Sequence, residues 1–148
     1  MIKKILVING PNLNLLGKRE PEIYGKMSLS EIEEKLLNYA RQNGAEIESF
    51  QSNFEGEIIE KIHQARENFG GIIINPAALS YTSFPILDAL KAVNIPCIEV
   101  HLSNIFGRED FRKNTITAAA CRGIISGFGW RSYIYALIEL INKLDSIN

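Results

Sequence analysis

Cysteine is scarce, charge of one sign is not in excess and no apolar run is long, and each of these lacks removes a class of function. Only two cysteines, Cys97 and Cys121, occur in 148 residues. They have neither C-x-x-C spacing nor a nearby His/Cys set, which leaves a zinc or redox centre without support and suits buried strand thiols in a reducing cytosol. The longest apolar runs, such as residues 71–74, fall far short of the roughly 20 residues that cross a bilayer as a helix. Residues 1–4 precede a short apolar run at residues 5–8 and then polar Asn9, so no long h-region or cleavage site is evident, and the segment reads as a first strand of a cytoplasmic protein. Sixteen basic residues against 17 acidic ones give a net charge of −1, with no global pull toward nucleic acid or an anionic membrane. What is present is globular: 46% hydrophobic and 22% charged residues. A chain of this length fits one domain, residues 1–148, able to remove roughly 70% of its unfolded surface from water.

Apolar runs alternate with amphipathic stretches. Strands are expected at residues 3–9, 45–51, 71–75, 96–101 and 123–126, several as continuous Ile/Val runs of the kind covered on both faces. Helices are expected between them. Ser28 with Glu31 and Ser52 with Glu55 have capping-box spacing ahead of apolar helical stripes, a third helix is expected at residues 83–93, and a last one begins near Trp130. Five strand-helix beats in so short a chain predict an α/β protein, a flavodoxin-like three-layer sandwich around a five-stranded parallel sheet. Ligands of such sheets bind beyond the carboxyl ends of the strands, so the residues following each strand matter most.

After strand one lies a long connection, residues 9–25, which opens with the amides of Asn12 and Asn14 and carries Arg19 and Tyr24 between Gly17 and Gly25. Its length suits a lid with glycine hinges, although decorated turns use the same residue types. Strand three ends in Asn75 followed by Ser80, Tyr81, Thr82 and Ser83, groups that suit a polyhydroxy ligand or, equally, helix caps. On strand four, Glu99 and His101 are two residues apart and share one face, so the carboxylate can orient the imidazole and keep it able to donate a proton. Taken alone, a histidine is more often structural, and His63 in an amphipathic helix is read so. Leu102, Ser103 and Asn104, then Arg108 and Arg112, follow directly. Backbone N–H groups and two guanidinium forks there make a pocket for a carboxylate; a solvated turn with local charge pairs is the commoner use of such residues.

Taken together, six ordered segments resemble the type II 3-dehydroquinate dehydratases, or type II dehydroquinases. They are N-G-P-N-L-N-x-L-G at 9–17, R-E-P-x-x-Y-G at 19–25, Q-S-N-x-E-G at 51–56, E-V-H-L-S-N at 99–104, R-E-D-F-R at 108–112 and G-x-I-x-G-F-G at 123–129. The resemblance implies a hydro-lyase that eliminates water from 3-dehydroquinate through an enolate to give 3-dehydroshikimate in the shikimate pathway, the route of aromatic amino acid biosynthesis, with no metal and no cofactor. It implies that Tyr24, as tyrosinate, takes the C2 proton with Arg19 stabilising the anion, and that Asn12 holds the water beside the enolate. His101, supported by Glu99, protonates the departing hydroxyl. Asn75, Leu102 and Ser103 bind the carboxylate, Arg112 grips ring hydroxyls and Arg108 adds positive charge near the lid. It further implies a homo-oligomer, a dodecamer built as a tetramer of trimers, in which Asp88 reaches a neighbouring subunit's pocket. Tyr81 stands where many members carry histidine, and Asn114-Thr115 where the usual pair is histidine-serine.

The implied chemistry makes a physical demand. A phenol ionises near pH 10 in water, so a tyrosinate working at pH 7 needs about 4 kcal/mol of preference for the anion, at about 1.36 kcal/mol per pH unit. One guanidinium at about 4 Å supplies about 1 kcal/mol in water and about 4 kcal/mol at an effective dielectric near 20, so the lid must close. Two other uses of the fold fit less well. A flavin or nucleotide carrier needs a phosphate-cradling glycine loop, which residues 9–17 lack, and a magnesium-binding receiver needs acidic residues where this chain has Asn9 and Asn75.

Overall fold

The computed structural model describes residues 3–147. Met1 and Ile2, part of the segment read as strand rather than secretion signal, lie outside the described residues. The strands are β1 (Lys3–Asn9), β2 (Ala45–Gln51), β3 (Gly71–Asn75), β4 (Cys97–His101) and β5 (Gly123–Ser126). All pair in parallel, in the order β2-β1-β3-β4-β5, the expected flavodoxin-like arrangement. The helices are α1 (Pro21–Tyr24), α2 (Leu29–Gln42), α3 (Glu55–Asn68), α4 (Phe84–Val93) and α5 (Arg131–Ile147).

Period-2 alternation within β1 divides the apolar side chains between two cores. Ile5 and Val7, with Ile73, Ile98 and Val100, face α2 and α5. Leu6 and Ile8, with Ile72, Ile74 and Cys97, face α3 and α4. Each fully buried Ile or Leu contributes about 1.5–3 kcal/mol of apolar burial, and this double coverage is why the central strands read as unbroken aliphatic runs. Among the described residues no helix is long and apolar enough to cross a membrane.

Ser28 caps α2 as its spacing predicts: its hydroxyl accepts from the Glu31 N–H while Glu31 accepts from the Ser28 N–H. The matching expectation for Ser52 fails. The cap position of α3 is Phe54, in extended backbone with no side-chain cap bond. The Ser52 hydroxyl instead accepts from the Phe54 N–H at 2.9 Å and donates to Glu57 at 2.5 Å. A local hydroxyl turn has displaced the helix start, the competition that serine brings to any helix end. β4 also begins one residue later than expected, because Pro96 has no N–H to give the ladder.

The topology creates the site. Asn9 on β1 stands in register with Gln51 on β2 and Asn75 on β3, so three amide side chains share one sheet edge. The chain turns to opposite sides from β1, and the crevice at that switch point lies beneath the long β1–α2 connection. Gly10 is required there: a Cβ on it would sit 2.6 Å from the Pro76 carbonyl oxygen.

Candidate active site

The floor of the cleft comes from β4. Glu99 is fully buried and His101 nearly so. Their two-residue spacing brings His101 Nε2 to 2.8 Å from Glu99 Oε2, which leaves Nδ1 as the nitrogen available to a ligand. Thr115 donates to the same carboxylate oxygen at 2.6 Å, and Thr117, fully buried, donates to the other. A carboxyl group out of contact with water is costly unless each oxygen is paired, and here both are: one to Thr117, the other to Thr115 and His101.

The wall comes from the connection after β1. Arg19 and Tyr24, at opposite ends of a tight turn into α1, meet so that the Arg19 guanidinium carbon lies 5.0 Å from the centre of the Tyr24 ring. Arg108 approaches the same ring at 5.2 Å and donates to the Ser103 hydroxyl at 3.0 Å. Two cations therefore flank one half-buried phenol. The connection is held in strained backbone, with Asn12 at φ 72° and Glu20 at φ 39°, both left-handed and both non-glycine. Asn12 is fixed from the loop after β2, since its N–H donates to Asn53 Oδ1 at 2.9 Å, and Gln51 at the end of β2 donates to the Gly10 carbonyl and to Asn53.

On the far side, the Tyr81 ring stacks over His101 at 6.3 Å between centroids with 16° between planes, and meets Phe111 edge-on. The Arg112 guanidinium stands 5.8 Å from the Tyr81 ring centre, and its Nε donates to Glu109 at 2.5 Å. Burial opposes the Arg112 charge, but the Glu109 carboxylate and the Tyr81 hydroxyl more than offset it and raise its pKa. The Glu109 carboxyl is held below its ordinary value by its own backbone N–H and by Arg112.

One half-open cleft brings Asn12, Arg19, Tyr24, Asn75 and Tyr81 together with His101, Leu102, Ser103, Arg108 and Arg112. Glu99 lies behind His101. Asp88 is not among the lining residues: it is exposed on α4. His63 is exposed on α3. Cys97 and Cys121 are free thiols with sulfurs 3.6 Å apart, and burial pushes the Cys97 thiol well above its ordinary pKa. Among the described residues no group of three His, Cys, Asp or Glu side chains is disposed to hold a metal ion. Thr117 and Tyr133 carry no mark in the sequence that points to their contacts with Glu99 and Asn9. Asn53 lies inside the Q-S-N motif, which was its only signal.

A family model described as dehydroquinase class II matches residues 3–141. A 3-dehydroquinate dehydratase of Aliarcobacter butzleri (strain RM4018) is 56% identical over 147 residues, spanning 97% of this chain and 90% of its own. One from Clostridium botulinum (strain Hall) is 52% identical, with 97% of both chains covered. The crystal structure of a type II dehydroquinase from Butyrivibrio crossotus superposes with a TM-score of 0.92 at 46% identity, over 94% of this chain and 97% of that one.

Proposed function

The chain belongs to the class II dehydroquinase family, and on that premise we propose how its own side chains dehydrate 3-dehydroquinate to 3-dehydroshikimate. Tyr24, as tyrosinate, removes the C2 proton, and the electrons of that C–H bond pass into the adjacent ketone to form an enolate. Asn12 holds a water against the enolate oxygen. The enolate then collapses, the C1–O bond breaks, and His101 gives its proton to the departing hydroxyl, which leaves as water. Tyr24 ends protonated and His101 neutral, and exchange with solvent restores both. Glu99 balances the imidazolium charge and fixes the ring, while Arg19 and Arg108 stabilise the phenolate. Asn75 with the backbone of Leu102 and Ser103 binds the substrate carboxylate, and Arg112 and Tyr81 hold ring hydroxyls. The sequence of steps needs no metal or cofactor.

The observation that supports this reading most is the opposition of the doubly flanked Tyr24 ring to the His101–Glu99 pair in one cleft. We also assign the activity to a single domain, residues 1–148, working in the cytoplasm as a dodecamer, a tetramer of trimers, in which Asp88 completes a neighbour's pocket. Exposed Asp88 and Phe84, one turn apart on α4, suit such a contact.

The test adds 3-dehydroquinate to purified protein in the presence of chelator and follows the ultraviolet absorbance of the conjugated enone, with sedimentation velocity alongside. Turnover by the wild type, its loss by at least about 100-fold in Tyr24→Phe and His101→Ala, and a twelve-subunit particle are expected. Near-wild-type turnover in either variant rejects the acid and base assignment, and a fully active monomer rejects the role of Asp88.

A further inference from the structure

We propose that Tyr133, on α5 and outside the cleft, is a positioning residue that, by accepting one N–H of the Asn75 amide, holds its other N–H toward the substrate. The inference rests on Asn75 as a substrate contact.

Four groups form a buried relay. The Ala77 N–H donates to Asn75 Oδ1 at 3.2 Å, Asn75 Nδ2 donates to the Tyr133 hydroxyl at 3.0 Å, and that hydroxyl donates to Asn9 Oδ1 at 2.5 Å. Asn9 and Tyr133 are wholly inaccessible and Asn75 almost so. Side-chain amides can turn end for end, but a backbone N–H cannot be an acceptor, so the direction of the relay is fixed at Ala77. Were Asn9 reversed, its Nδ2 would donate to Tyr133, whose proton would then need Asn75 Oδ1; reversing Asn75 to supply it would set an NH₂ against the Ala77 N–H.

Two further observations fit a direction held against cost. Ala77 sits at φ 53°, left-handed backbone that a residue with a Cβ avoids. Asn9 Nδ2 is buried with no hydrogen-bond partner among the described residues, a cost borne while the other end of that amide accepts the Tyr133 proton. Burial also keeps the phenol protonated far above neutral pH, so the proton that defines the relay is always present. The result is an Asn75 with its carbonyl occupied and one N–H still free. That N–H can bind an acceptor, such as a carboxylate oxygen.

Tyr133→Phe keeps the ring and removes the hydroxyl. The expected result is a rise in KM for 3-dehydroquinate of about 5- to 10-fold, the worth of one hydrogen bond, with kcat reduced less than about threefold. Asn75→Ala also raises KM, and adding Tyr133→Phe to it raises KM no further. Asn9→Leu frees the Tyr133 proton without leaving a carbonyl unpaired and gives the same rise, which covers the case of poor folding in Tyr133→Phe. A merely structural role would lower the active fraction and leave KM alone. Wild-type KM in Tyr133→Phe or Asn9→Leu, beside a raised KM in Asn75→Ala, overturns the positioning role and spares the reading of Asn75. Unchanged KM in Asn75→Ala overturns both.

Discussion

Replacing Arg19 with alanine removes one of the two guanidinium groups beside the Tyr24 ring, at 5.0 Å for Arg19 and 5.2 Å for Arg108. Taking those separations as the distance between charges, each cation favours a phenolate by about 0.8 kcal/mol in bulk water and by about 3 kcal/mol at an effective dielectric near 20. The lower figure belongs to an open, wet lid and the higher to one that excludes solvent. About 3 kcal/mol amounts to roughly two orders of magnitude in rate, so kcat for Arg19→Ala falls about 100-fold if the connection carrying Arg19 and Tyr24 closes in the reacting complex. KM stays within about threefold, because the charge being stabilised belongs to the enzyme and not to the substrate. Steady-state rates from enone absorbance, at low and high ionic strength, are the assay. A closed site also makes the loss insensitive to salt. A fall of less than about fivefold in kcat, or an effect confined to KM, refutes the argument that the guanidinium groups create the base.

Three further outcomes follow from other parts of the structure. Glu99→Gln puts an amide NH₂ among three donors and leaves the imidazolium without a counter-charge, so kcat falls by roughly 10- to 100-fold with little change in KM, and a denaturant melt registers about 2–4 kcal/mol of lost stability. Because burial holds the Tyr133 phenol well above its ordinary pKa, the folded state keeps a proton that the unfolded chain releases above about pH 10. This stabilisation is whole below pH 10 and lost as pH rises beyond it, by up to about 1.4 kcal/mol per pH unit, and denaturant melts between pH 9 and 11 show a shallower decline in Tyr133→Phe. Gly10→Ala drives a methyl into the Pro76 carbonyl, at a cost of about 2–4 kcal/mol seen as a lower unfolding midpoint.

The features that the sequence displayed were those whose causes are local. Runs such as residues 71–75 announced strands because a sheet covered on both faces has no polar side to show, and Ser28 announced a helix because its partner Glu31 is three residues away. Glu99 and His101 could be paired on paper because strand geometry alone puts them on one face. Ser52 misled for the opposite reason: two hydroxyl geometries compete at one helix start, and only the fold selects between them. Contacts between distant segments left no local trace. Thr117 reaches Glu99 across 18 positions, Asn53 reaches Asn12 across 41, and Tyr133 reaches Asn9 across 124. None has a periodicity or spacing that could mark it, and each becomes visible only when the parallel sheet sets the strand ends side by side. Asp88 is the converse case, implied by resemblance alone: it is exposed on α4 and lies outside the cleft.

The assignment of Tyr24 as base and His101 as acid is tested most directly by following hydrogen exchange at C2 of 3-dehydroquinate in deuterated water, apart from elimination. If the two residues act at separate steps, His101→Ala still forms the enolate and exchanges the C2 proton faster than it releases 3-dehydroshikimate, whereas Tyr24→Phe does neither. Exchange persisting in Tyr24→Phe and vanishing in His101→Ala would contradict the account.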